Sequence, residues 1–132
     1  MKATDLMVGD WVIAYGKKTQ VVWVGNIHKL AVRGFPSEFY EDEIEPIPLT
    51  PEILEKNGFT KSTPPPGIHA KCYEHDNKKD KYNLTIADYN KYKRLLLNVD
   101  SEDSECFNIK CDYVHELQHA LRLCGIEKDI IL

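Results

Sequence analysis

Residues 5–24 decide how the chain begins to fold: Asp5-Leu6-Met7-Val8-Gly9-Asp10-Trp11-Val12-Ile13-Ala14-Tyr15-Gly16-Lys17-Lys18-Thr19-Gln20-Val21-Val22-Trp23-Val24. Asp5 to Asp10 reads as a turn that leads into a strand at Trp11–Tyr15. Gly16-Lys17-Lys18-Thr19 supplies the hairpin turn, because glycine takes the positive φ that tight turns demand. Gln20–Val24 is rich in β-branched and aromatic residues, as a strand on a half-buried sheet should be. Gly25-Asn26 marks the next turn. Leu30–Arg33 and Phe39–Ile47 add two more strands. Strands this short, with turns this frequent, predict a strongly curled SH3-like small β-barrel.

The next signals are those of a helix. Thr50 can cap, Pro51 fits the first helical position and Glu52 suits the positive dipole end, so a helix is expected over 51–57 with Gly58 as its stop. Ser62-Thr63-Pro64-Pro65-Pro66-Gly67 reads as a stiff connector. Beyond it, Ile68–His75, Tyr82–Tyr89, Tyr92–Val99 and Cys106–Cys111 read as strands, with turns at Asp76-Asn77, Asn90 and Asp100–Ser104. Asp112 and Gly125 bracket a helix over Tyr113–Cys124. The expected fold class is therefore α+β. Residues 1–61 form the SH3-like barrel with its short helix, 62–67 the Pro-rich connector, and 68–132 a small antiparallel sheet packed with a C-terminal helix.

Composition narrows the setting. With 132 residues, 29% charged and 42% hydrophobic, the chain is long enough to fold without disulfides or metal and too apolar to be disordered. No apolar run approaches the ~18 residues of a membrane span, and no apolar h-region follows Met1. A cytoplasmic protein, with no membrane partner, is expected. The four cysteines (Cys72, Cys106, Cys111, Cys124) contain no CxxC pair and read as reduced core residues. The net charge of -4, with acids diluting the Lys78–Lys81 and Lys91–Arg94 clusters, argues against nucleic acid as a partner.

One motif carries chemistry. His115-Glu116-Leu117-Gln118-His119 matches HExxH, in which two histidines on one helix face share a zinc ion and the glutamate serves as general base. Read as chemistry, His115 and His119 are the metal ligands and Glu116 the catalytic base of a zinc-dependent metallohydrolase. Against this, the longer HExxHxxGxxH spacing fails at Arg122, and the residues after His119 offer little to complete the site. At ~100° per residue, Val114, Leu117, Leu121 and Cys124 form an apolar stripe with His115, His119 and Arg122 nearly opposite, facing solvent. A second set, His69, Cys72 and His75 with Cys106 and Cys111, would need a bulge to converge from one strand. No Walker, GxGxxG or GxSxG loop is present.

Asp5–Val12, Glu45–Phe59 and Tyr113–His119 together resemble a family of short uncharacterised proteins of Bacteroides-type bacteria, their phages and mobile elements. Members of that family often carry Gln at the position of Glu116 and Asn at that of His119. The resemblance thus implies a helix without catalytic duty in a phage or mobile-element protein. The expectation that follows is a non-enzymatic protein-binding or accessory protein without a cofactor, whose partner is a host or phage protein or a second copy of itself. Its binding surface would combine Trp11, Tyr15, Trp23, Phe39 and Tyr40, as an aromatic groove for a peptide, with the helix face of His115, His119 and Arg122. Zinc hydrolysis through HELQH and a small-ligand sponge are the alternatives.

Overall fold

The computed structural model describes residues 2–25, 28–64, 66–67, 69–77, 82–99, 106–123, 125–126 and 128–132. Two antiparallel sheets of five strands each and a C-terminal helix make the fold α+β. The strands of the first sheet are β1 (Trp11–Ala14), β2 (Lys17–Val24), β3 (Lys29–Val32), β4 (Phe39–Tyr40) and β5 (Ile44–Pro46). Helix α1 (Pro51–Lys56) follows, then β6 (Thr60–Ser62), β7 (Lys71–Asn77), β8 (Tyr82–Asp88), β9 (Lys93–Val99), β10 (Cys106–Lys110) and helix α2 (Val114–Leu123). The turns expected at Asn26 and Asp100–Ser104, the Pro65 link of the connector, and Cys124 lie outside the described residues.

The chain divides into two units: Met1–Pro48 with Tyr113–Gln118, and Leu49–Asp112 with His119–Leu132. In the first, the sheet order is β4-β3-β2-β1-β5. Among the described residues no ladder joins the edges β4 and β5. Strand β2 gives its first half to β1 and its second half to β3, with the register shifting between Val21 and Trp23. That shift leaves Val22 as an extra residue, and a bulge of this kind sharpens local twist. Alternation puts Val12, Ala14, Val21, Leu30, Val32, Phe39 and Ile44 into the core. The expected strand Phe39–Ile47 is broken by a 3-10 turn at Glu41–Glu43, because three successive carboxylates suit the donor-rich start of a helical turn better than a ladder. The first hairpin turns at Tyr15-Gly16 rather than at 16–19, since Ala14 pairs directly with Lys17.

In the second unit the order is β10-β9-β8-β7-β6, a meander. Strand β6 was not anticipated, and the expected boundary at 62–67 falls in the β6–β7 connection. Tyr73, Ile86 and Leu95 stand directly opposite one another and are buried, so they define the apolar face. Each such side chain contributes about 1.5–3 kcal/mol on burial. Thr50 caps α1 as expected, its Oγ1 accepting from the Ile53 N–H at 3.3 Å. Both helices end in the same way. Gly58 N donates to Glu55 O and Phe59 N to Leu54 O, and Gly125 N donates to Arg122 O with Ile126 N to Leu121 O. These are Schellman closures with glycine at positive φ. No described helix is long and apolar enough to cross a membrane.

Candidate functional site

Tyr15 is the unusual residue of the first unit. A two-residue hairpin turn with positive φ at both positions favours Asn, Asp or Gly, yet here φ is 47° at Tyr15 and 73° at Gly16. A bulky side chain in this region costs about 1 kcal/mol or more. The ring nevertheless stands 69% exposed. It is held by three neighbours. Its centroid lies 5.1 Å from Phe39 and 6.2 Å from Phe35, and its Oη donates to Glu43 Oε2 at 2.8 Å. Phe35 and Phe39 meet edge-on at 5.2 Å, the arrangement favoured by the ring quadrupole.

The turn Glu41–Glu43 anchors the patch. Glu43 Oε1 accepts from the Tyr40 N–H at 3.0 Å, so one carboxylate fixes two tyrosines. Glu41 Oε2 accepts from the Ala3 N–H, and its Oε1 meets His28 Nδ1, both at 2.8 Å. His28 is another non-glycine residue at positive φ, 50°. Tyr40 is 55% exposed, with the Lys29 ammonium 5.3 Å from its ring centroid. Backbone strain of this kind gathers at functional sites, where the surroundings hold it in place.

The electrostatics follow from the contacts. The Tyr40 N–H and then the Tyr15 hydroxyl hold the Glu43 carboxyl below its ordinary range, while Glu43 pushes the Tyr15 phenol up. The Ala3 N–H does the same for Glu41, with a smaller part from His28. A carboxyl depressed in the folded state stabilises fully above its unfolded pKa, and that stability is lost as pH falls through the folded value. Tyr15 ring resonances in NMR are therefore expected to shift on acidification below the ordinary carboxylate pKa of 4.5. In Glu43→Gln that step should vanish. Resonances flat through this range in the wild type would show that Glu43 does not hold the ring.

The other expected residues fall elsewhere. Phe39 is buried to 2% and serves as the floor of the patch, not its surface. Trp23 is 45% exposed, with its ring so close over Gly25 that an added Cβ would lie 2.5 Å from the indole. Trp11 is half-buried. Phe35 and Glu43 were missed, although Gly34-Phe35-Pro36 is a turn signature that places an aromatic at a loop.

On α2 the expected solvent face needs correction: His115 is only 7% exposed and stacks on Tyr113 at 5.9 Å. His119 is half-buried and Arg122 exposed. The stripe of apolar residues understates the buried arc, because Val114, His115, Leu117, Gln118, Ala120 and Leu121 are all buried and span roughly 220° at ~100° per residue. Glu116 Oε1 accepts from the Tyr113 N–H at 3.2 Å, reaching back to the start of the helix as the third residue of a capping box does. Among the described residues no three His, Cys, Asp or Glu side chains converge on a metal position. Cys72 and Cys111 are buried, and burial pushes the Cys72 thiol up. No protein-family model matches the chain, and no curated protein or solved structure matches it either.

Proposed function

We propose that the chain is a non-enzymatic binding protein of the cytosol, in the phage or mobile-element setting that the resemblance implies. In this reading the first sheet curls into an SH3-like barrel, and Tyr15, Phe35 and Tyr40 receive a segment of another protein. On α2, the half-buried His119 and the exposed Arg122 form a second contact region. The observation that supports the reading is Tyr15: a large ring kept in a strained turn, packed on one side and open on the other. Strain that a glycine would relieve, at a ring that contributes little to the core, points to a use outside the fold.

Peptides selected from a displayed random library against the wild-type chain supply the test. Tyr15→Gly and Tyr15→Asn relieve the turn, so stability is expected to hold or rise by up to about 1 kcal/mol. Affinity for the selected peptides should fall at least tenfold. Peptides that bind the variants as tightly, or a clear loss of stability in both, would make Tyr15 a structural residue and overturn the reading.

A further inference from the structure

The second sheet concentrates positive charge that the overall composition conceals. Lys71, Asp88 and Lys93 stand side by side across β7, β8 and β9 at the sheet end. In the next row Arg94 lies directly opposite Lys110 on β10. Lys91 follows in the loop joining β8 to β9. Lys93 and Arg94 are consecutive, so Lys71, Asp88 and Lys93 take one face, where the charges alternate, while Arg94 and Lys110 take the other, where like charges meet. Asp88 and Asp112 are each pinned by a backbone donor. Asp88 Oδ1 accepts from the Asn90 N–H at 2.9 Å, and Asp112 Oδ1 accepts from the Lys93 N–H at 2.6 Å, with Lys110 Nζ 3.5 Å from its other oxygen.

An aromatic platform sits on the face that carries Arg94 and Lys110. Tyr92 is 45% exposed and stacks on Tyr89 at 5.0 Å and 23°. The Arg94 guanidinium lies 5.5 Å from the Tyr92 centroid. Residues 89 and 92 are joined by a backbone hydrogen bond of 3.0 Å, and Asn90 takes the left-handed conformation, φ 73°, that closes the loop. Alternation from Arg94 places Tyr92 on its side of the sheet.

We propose that this end of the second sheet binds single-stranded nucleic acid on the face of Arg94 and Lys110, with Lys91, Arg94 and Lys110 on the phosphates and the Tyr92 ring against a base. Charge complementarity selects a polyanion. The exposed ring selects a nucleic acid over an acidic protein, because every base offers a face to stack and a carboxylate does not. The proposal is independent of the aromatic patch on the first sheet. The acidic remainder of the chain repels the strand, so binding is confined to this end and is sensitive to salt.

The test is fluorescence anisotropy of the full chain with labelled oligothymidylate and oligouridylate of about twelve nucleotides, a length within the range of single-strand sites. Saturable binding at low salt is expected, with log affinity falling against log salt at a slope of about -2, near ~0.7 per phosphate neutralised. Tyr92→Ala should lose about tenfold and Tyr92→Phe little. The exposed pair Lys91→Gln/Lys110→Gln should flatten the slope by about 1.4, an independent readout should the Tyr92→Ala chain fail to fold. Polyglutamate should compete poorly. Absence of saturable binding at low salt would overturn the proposal. So would equal displacement by polyglutamate together with an unaltered Tyr92→Ala affinity, which would assign this end to acidic proteins.

Discussion

Replacing Gln118 with leucine is expected to lower stability by about 2–4 kcal/mol, measured by urea unfolding. Gln118 is 9% exposed, and both ends of its amide are used. Oε1 accepts from the Trp11 N–H at 2.9 Å, and Nε2 donates to Gly9 O at 3.0 Å. The amide thus copies a neighbouring strand at the point where β1 begins. Leucine fills a similar volume but leaves the Trp11 N–H without this partner, and an unmade bond in a buried place costs about 1–3 kcal/mol beyond the bonds lost. Gly9 O keeps a donor in Gln20 Nε2 at 3.1 Å, which limits the damage on that side. Gln118→Glu sharpens the test. Its carboxylate still accepts from Trp11 but cannot donate to Gly9, and burial raises its pKa. A group with a raised folded pKa contributes stability at low pH that is lost as pH rises, so the variant should recover on acidification. A loss under 0.5 kcal/mol in Gln118→Leu, within the range of an ordinary surface change, would show that the amide does not close the sheet.

The second large effect belongs to Asn57, which repeats the device in the other unit. It is 5% exposed, Nδ2 donates to Ile53 O at 2.8 Å and Ile131 O at 2.7 Å, and Oδ1 accepts from the Ile131 N–H at 2.7 Å. One amide therefore caps α1 and holds residues 130–132 in place, with Lys56 Nζ adding a 2.6 Å bond to Leu132 O. Asn57→Ala is expected to cost about 1–3 kcal/mol. Release of this segment uncovers Ile130, which is otherwise 4% exposed. Hydrogen exchange at Ile131 should accelerate more than at Leu84 or Ile86 in the sheet. Asn57→Asp should be worse at neutral pH, since it sets a carboxylate against two carbonyl oxygens. Equal protection of Ile131 in wild type and variant would sink the claim.

What could be read from the sequence was local. Thr50, Pro51 and Gly58 state where α1 begins and ends because capping is settled within a turn of chain. The strands of the second sheet were legible for the same reason, as runs of apolar residues between turn signals. Thr60-Lys61-Ser62 was not, since it lacks apolar alternation and is held to β7 by its backbone ladder and the Thr60 hydroxyl. Tyr15 reads as a strand residue by type, and only the register shows that it turns. Its partner Glu43 lies 28 residues away, a distance at which periodicity is silent. HELQH drew attention to its histidines, whereas the buried amide between them closes the first sheet. That misreading has a physical source: hydrophobic patterning ranks His and Gln as solvent-facing, although a buried polar group is tolerated wherever its hydrogen bonds are met.

Gln118 reaches Trp11 across 107 residues of chain. The first unit is completed by Tyr113–Gln118, long after Met1–Pro48 has been synthesised. The second unit likewise waits for His119–Leu132. The intervening meander pairs strands that are neighbours in sequence, and such contacts form early because little loop entropy opposes them. Strand pairing between sequence neighbours in each sheet therefore precedes the arrival of the C-terminal segment that completes its unit. A nascent chain halted before α2 would present the first sheet without the Gln118 amide on Trp11 and Gly9, the kind of incomplete surface that chaperones hold and proteases cut.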